Sequence, residues 1–253
     1  DRSKYITILT ELDFNHLIKN LIDKKFFAFD LETTSKRPVW AQTVGISFSF
    51  EEGNACYIPL THRYMGVPSQ LNLKMVLSKL KPIFEDKKIY KCGHNIKYDL
   101  IVMANEGLCL KGITFDTMIA SYLLDPSNRG HGLDSLSMEY FGHQNLTYKE
   151  MVGVGNKEIG FDEVAIERAT EYAAEDSDMT WRLKDKLEPR LKGDTLKLYN
   201  EIELPLLEVL AEIEINGIYV DCEHLKKLSE VIEKQLHKLE GDIFKLSGEE
   251  FNI

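Results

Sequence analysis

Four acids and one tyrosine stand where a folded chain should place apolar side chains. Asp30 and Glu32 close the run "FFAFDLETTS", residues 26–35. Side chains alternate along a strand, so these two acids share one side with Phe26 and Ala28, while Phe27, Phe29 and Leu31 take the other. Both sides are apolar, which predicts a central strand covered on both faces. Two carboxylates at its end repel one another and lose hydration, so something must compensate them. Asp99 repeats the anomaly. In "NIKYDLIVMANEG", Ile96, Leu100 and Met103 form one helical face, and Asp99 falls at its centre. The third case is "DEVAIERATEYAAEDSDMTWRLKDKL", where Ala165, Ala169, Tyr172, Ala173, Asp176, Thr180 and Leu183 follow helical spacing. Tyr172 and Asp176 are one turn apart and therefore neighbours. Glu175 and Asp178 lean away from this face and are expected in solvent.

Each anomaly has an ordinary explanation. "DLE" after a strand is commonly a turn. Asp99 could be a buried acid held by Asn95 or a lysine, and Tyr172 and Asp176 a self-satisfied pair. Asp116 reads as a helix cap. A shared divalent-metal site accounts for all three anomalies at once. Hard cations such as Mg2+ take oxygen ligands, so four carboxylates suit one or two ions. Two ions ~3.5–4 Å apart can clamp the attacking and leaving oxygens of a phosphoryl displacement.

The elements that must position these residues can be read in order. Tyr5 to Leu9 predicts a short strand, and "TELD" starts a helix ending near Asp23. After the acid-bearing strand, "TVGISFSF" and "NACYIPL" predict a hairpin around "EEGN". Helices are expected over Leu71 to Phe84, Asn95 to Glu106, Leu133 to Phe141 and Glu163 to Leu187. "KKIYKCGHN" and "ITFDT" read as strands. This order predicts an α/β fold, a mixed sheet with helices on it. Composition changes near "LKGDT", and only helices follow. The last, Glu223 to Leu246, carries Leu225, Leu228, Ile232, Leu236, Leu239, Ile243 and Leu246 as one apolar stripe, read as half of a helix hairpin connected by "NGIYVD".

The bulk numbers exclude several classes. The 253 residues are 43% hydrophobic and 28% charged, as in soluble globular proteins, and no apolar run is long enough for a membrane. The N-terminus does not resemble a signal peptide, and the first residue is not Met. Cys56, Cys92, Cys109 and Cys222 are scattered, which favours reduced thiols in a cytosolic protein. A net charge of -10 argues against a module that simply grips nucleic acid, but not against an enzyme that meets phosphate through cations.

The motifs carry a resemblance. "FDLETT", "GHNIKYDL" and "YAAEDSDMT" resemble, in order, the three motifs of the DEDD 3'-5' exonucleases, and the Tyr-x-x-x-Asp form of the third marks the tyrosine subgroup. "DTMIASYLLDP", "HGLDSL", "IELPLLEVLAEIEINGIYVD" and "SGEEFNI" resemble the large fragment of bacterial family A DNA polymerase I. The resemblance covers essentially the whole chain. It implies a ribonuclease H-like exonuclease domain over 1–193, and over 194–253 the helical start of a polymerase domain. It also implies that the chain stops before the palm and fingers and lacks the 5' nuclease of many relatives.

Carried over by residue, the resemblance implies that Asp30, Glu32 and Asp176 bind one metal. Asp30, with Asp99 acting through water, would hold a second. Tyr172 would orient the attacking water. Thr33, Asn95 and Tyr98 would contact the 3'-terminal nucleotide, and Tyr148 in "LTYKEM" would press on the terminal bases. The implied cofactors are two divalent cations, Mg2+ with Mn2+ or Zn2+ as alternatives. The implied partners are DNA with single-stranded or frayed 3' ends and the remainder of a polymerase polypeptide, with no membrane, in a monomer of the bacterial cytoplasm associated with the nucleoid. One departure is clear: "SKRPVW" follows the first motif, placing Lys36 where relatives often have an apolar wedge. The expected activity is proofreading hydrolysis of DNA 3' ends to 5'-mononucleotides. The alternatives are a ribonuclease D-like enzyme for RNA 3' ends and a non-catalytic scaffold of a polymerase.

Overall fold

The structure is a computed structural model that describes residues 2–253. The chain divides into a unit ending at Ile215 and a second, Asn216–Ile253.

Six strands form the sheet of the first unit among the described residues: β1 (Ile6–Thr7), β2 (Phe26–Thr33), β3 (Thr43–Glu51), β4 (Asn54–Pro59), β5 (Tyr90–Gly93) and β6 (Ile113–Asp116). Their spatial order is β1-β4-β3-β2-β5-β6. The β2–β3 and β3–β4 pairs are antiparallel, and β1–β4, β2–β5 and β5–β6 are parallel. The expected mixed sheet is therefore present, and β2 lies inside it. Helices α1 (Glu11–Lys24), α2 (Leu73–Phe84), α3 (Lys97–Asn105), α4 (Thr117–Leu124), α5 (Leu133–Phe141), α6 (Tyr148–Val152) and α7 (Ile166–Leu187) surround it, followed by α8 (Gly193–Leu198) and α9 (Leu204–Asn216).

The alternation in β2 divides the core as its sequence requires. Phe27, Phe29 and Leu31 join Ile46, Phe48 and Ile58 beneath α1, α2 and α3, through Phe14, Leu21, Leu80, Phe84 and Val102. The Phe29 and Phe84 rings meet edge-on at 5.1 Å. Each such buried side chain stabilises the fold by about 1.5–3 kcal/mol relative to exposure. Ala28 faces the other way with Cys92, Phe115, Leu183 and Leu187. Farther along this face, Val44, Tyr57 and Phe161 meet Ala169 and Ala173 of α7. Alanines let the long helix lie close to the sheet and carry its acids to the end of β2.

Several expected boundaries shift. The first strand shrinks to Ile6–Thr7. Helix α3 begins at Lys97 rather than Asn95, because Asn95 takes a left-handed conformation, φ 60°, that turns the chain before the helix. Asp116 caps α4 as expected, its Oδ1 accepting from the Met118 and Ile119 amides at 2.9 and 3.0 Å. It also accepts from the Ile96 amide at 2.8 Å, so one buried acid fixes the entrances of α3 and α4. Tyr199 and Leu207 lie in the cores of the first unit.

In the second unit, α10 (Cys222–Ser247) is capped by Asp221, which accepts from the His224 amide at 2.9 Å. Its stripe from Leu225 to Leu246 is largely exposed. The four cysteines are unpaired. Among the described residues, no helix is long and apolar enough to cross a membrane.

Candidate active site

The end of β2 meets the middle of α7. One oxygen each of Asp30, Glu32 and Asp176 lies within 4.8 Å of the other two. Glu32 and Asp176 are buried, and Asp30 is partly exposed. Burial raises the Asp30 carboxyl to about 7. Burial first, and then the charge of neighbouring acids, holds Glu32, Asp99 and Asp176 well above the usual carboxylate range. Glu32 Oε1 is buried without a hydrogen-bond partner. Three converging carboxylates, one with an orphaned oxygen, form the donor set a hard divalent cation takes, so the residues present fit the expected metal.

Asp99 lies behind the cluster. Its Oδ1 accepts from the Leu31 amide at 3.1 Å, between the two acids of β2. Neither Asn95 nor a lysine is the partner that holds it. Tyr172 is partly buried on α7. Burial, and then the charge of Asp176, raises its phenol well above the usual value, so it stays protonated at neutral pH.

A cavity of about 330 Å³ opens over these groups. Asp30, Glu32, Thr33, Tyr98, Tyr148, Tyr172 and Asp176 line it, which brings together seven of the nine residues singled out by sequence. Asp99 and Asn95 are not part of the lining, and Asn95 instead borders a separate cavity with Lys97 and Asp116. The Tyr98 hydroxyl hydrogen-bonds with Thr33 Oγ1 and donates to the Ser35 carbonyl, fastening the turn after β2. Tyr148 stacks on Phe161 at 6.2 Å with 14° between planes, and Phe161 meets Tyr172 at 5.8 Å.

The match of a family model to residues 5–192, described as 3'-5' exonuclease, decides the classification. The chain belongs to the 3'-5' exonuclease family. This exonuclease-family chain is 42% identical over 253 residues to DNA polymerase I of Pseudomonas aeruginosa, an alignment covering 98% of the chain and 28% of that relative. It thus spans little more than a quarter of the relative's length. Among solved structures it resembles the POL domain of Pol1 from M. smegmatis in complex with DNA primer-template and dNTP (TM-score 0.75, 21% identity, 98% of this chain, 38% of that one). It also resembles Brucella melitensis NrnC with bound Mg2+ (TM-score 0.59, 24% identity, 85% of this chain, 94% of that one). These likenesses agree with the ribonuclease H-like fold.

Two sequence expectations for this exonuclease-family chain are corrected. Glu175 and Asp178 are buried, not solvated. Glu175 accepts from Arg2 Nε at 2.7 Å and the Leu146 amide at 2.8 Å, and His143 Nε2 lies 2.7 Å away. Asp178 accepts from the Gly53 amide at 2.8 Å, the Tyr5 hydroxyl at 2.9 Å and Arg182. Apart from Arg182, one turn along α7 from Asp178, these partners come from distant segments that helical spacing could not reveal. They satisfy charges that would otherwise be costly to bury, and they brace α7 on both sides of Asp176. His94, Ser35 and Leu133 also line the cavity without having been singled out. For His94 a signal existed, since it directly precedes Asn95 in "GHNIKYDL".

Proposed function

We propose that this chain is a divalent-metal-dependent exonuclease that hydrolyses the terminal phosphodiester bond at DNA 3' ends and releases 5'-mononucleotides. The observation that carries this reading is the convergence of Asp30, Glu32 and Asp176 beneath an aromatic-lined cavity, with Glu32 Oε1 unpaired. Asp30, Glu32 and Asp176 would hold one cation, and Asp30 with Asp99 acting through water would hold a second. Bound Mg2+, or Mn2+ or Zn2+ in its place, would supply a more acidic water and stabilise charge on the departing 3' oxygen.

The side chains do the positioning. Tyr172 keeps its proton, so its hydroxyl holds and orients a water rather than removing a proton from it. Asp99 fixes the strand that carries Asp30 and Glu32. Thr33 and Tyr98 form a joined wall for the terminal nucleotide, and Tyr148, supported by Phe161, offers a ring for base contact. Unpaired bases reach such a ring more readily than stacked ones, which favours single-stranded or frayed ends.

In this reading residues 1–193 form the exonuclease domain and 194–253 open a polymerase domain. The activity serves proofreading in replication and repair, in a monomeric protein of the bacterial cytoplasm and nucleoid. RNA 3' ends are the second substrate class to test. Digestion of 3'-labelled single strands of DNA and RNA with Mg2+, Mn2+ or EDTA checks the reading. The expected result is mononucleotide release from DNA that stops in EDTA. Undiminished activity in EDTA would overturn the metal requirement, and faster release from RNA would overturn the substrate.

A further inference from the structure

We propose that Lys36 is a phosphate-binding residue of the substrate cleft, holding an internucleotide phosphate upstream of the bond that is cut. This rests on the exonuclease reading of the same cavity.

Charge makes the need plain. The chain carries a net charge of -10, and the cavity wall presents Asp30, Glu32 and Asp176. Cations bound by these acids can serve the scissile phosphate, but the phosphates farther along the strand require a positive group from the protein. Among the residues lining the cavity, Lys36 is the one lysine or arginine. Its Nζ lies 5.0 Å from the centroid of the Tyr148 ring. Among the described residues it has no ion-pair partner, so its donors are free.

The surrounding structure fixes its base and leaves its tip exposed over the Tyr148 ring. The Tyr98 hydroxyl donates to the Ser35 carbonyl and accepts from Thr33 Oγ1, and the Arg37 amide donates to Ser35 Oγ at 3.1 Å. The main chain on both sides of Lys36 is thereby anchored, while its side chain is exposed. A cation over an exposed ring gains only ~0.5–1 kcal/mol, whereas an ammonium–phosphate hydrogen bond is charge-assisted and stronger. The ammonium therefore leaves the ring when a phosphate arrives, and this uncovers Tyr148 for a base. An apolar wedge could give base contact alone. Lys36 adds a grip that depends on salt.

The test uses the full 253-residue chain with Mg2+ and single-stranded DNA, comparing wild type with Lys36→Met and Lys36→Arg. KM and kcat are measured across a salt series. A second series of strands carries one neutral methylphosphonate linkage at successive positions upstream of the 3' end. Lys36→Met is expected to raise KM about tenfold, with the loss falling on KM rather than kcat. It should flatten the dependence of log affinity on log salt by about 0.7, one phosphate contact on a single strand. Lys36→Arg should restore both. Wild type should lose affinity at one upstream methylphosphonate position to which Lys36→Met is indifferent. An active wild type whose KM, salt slope and methylphosphonate profile all match those of Lys36→Met would overturn the role of Lys36. A wild type without metal-dependent hydrolysis of DNA would overturn the exonuclease reading, and the Lys36 proposal with it.

Discussion

Asp99 Oδ1 accepts the amide proton of Leu31 across 3.1 Å, at the residue that separates Asp30 from Glu32. An acid on α3 thus holds the backbone that presents two others. Both Asp99→Asn and Asp99→Ala remove the ionisable carboxyl behind the cluster, but asparagine retains an oxygen that can accept the Leu31 amide. Asp99→Asn should therefore be more stable than Asp99→Ala by about 1–3 kcal/mol, the cost of an unpaired buried donor. Urea unfolding of both variants in EDTA measures the difference. Equal midpoints would show that this bond does not hold the strand.

The acids and the tyrosine should fail differently. Asp30→Ala and Asp176→Ala should each lower turnover by several orders of magnitude and weaken Mn2+ binding. Tyr172→Phe removes only a protonated hydroxyl, so it should lower turnover by about 10²–10⁴-fold with Mn2+ affinity little changed. Turnover and Mn2+ titration on all three variants check this. Loss of metal binding in Tyr172→Phe, or full turnover in that variant, would contradict its assigned place.

The metal-free protein should lose stability as pH rises from about 4 to about 7. Asp30 titrates near 7 when folded, against about 3.9 for an unfolded aspartate. Within that window the folded state keeps a proton that the unfolded chain has released, so stability falls with rising pH. Glu32, Asp99 and Asp176 are shifted in the same direction and reinforce the trend. Melting temperatures from pH 4.5 to 7.5 in EDTA should decline, and Asp30→Asn should flatten the decline. Saturating Mn2+ should restore stability at pH 7.5 by mass action. A melting temperature that rises steadily in EDTA would speak against the strained cluster.

Gly45 pairs with Glu32 across the β2–β3 ladder. A Cβ there would lie 2.1 Å from the Tyr57 hydroxyl oxygen, and that buried hydroxyl is 2.9 Å from His62 Nε2. Gly45→Ala should cost about 1–3 kcal/mol by overfilling this site, and should disturb the strand opposite Glu32. Denaturant unfolding reads the loss, and a variant as stable as wild type would show that Tyr57 can move aside.

The sequence already marks β2 as an inner strand ending in two acids, because a period of two over "FFAFDLETT" with apolar residues on both sides admits few other placements. It determined the pairing of Tyr172 with Asp176 by helical spacing, and it placed Asp99 on an inward face. Asp116 was legible as a cap from its position before a helix. What those acids touch depends on long-range packing. The Leu31 amide is 68 residues from Asp99, and Arg2 is 173 residues from Glu175. Glu175 and Asp178 looked solvated because local spacing reports a helix face but not the segments folded over it. The same limit hid the cavity wall: Lys36 and Tyr148 are far apart in sequence and meet only once β2 and α6 are positioned by the sheet and α7. Periodicity shows which way a side chain points, whereas the partner that satisfies it is set by long-range closure of the chain.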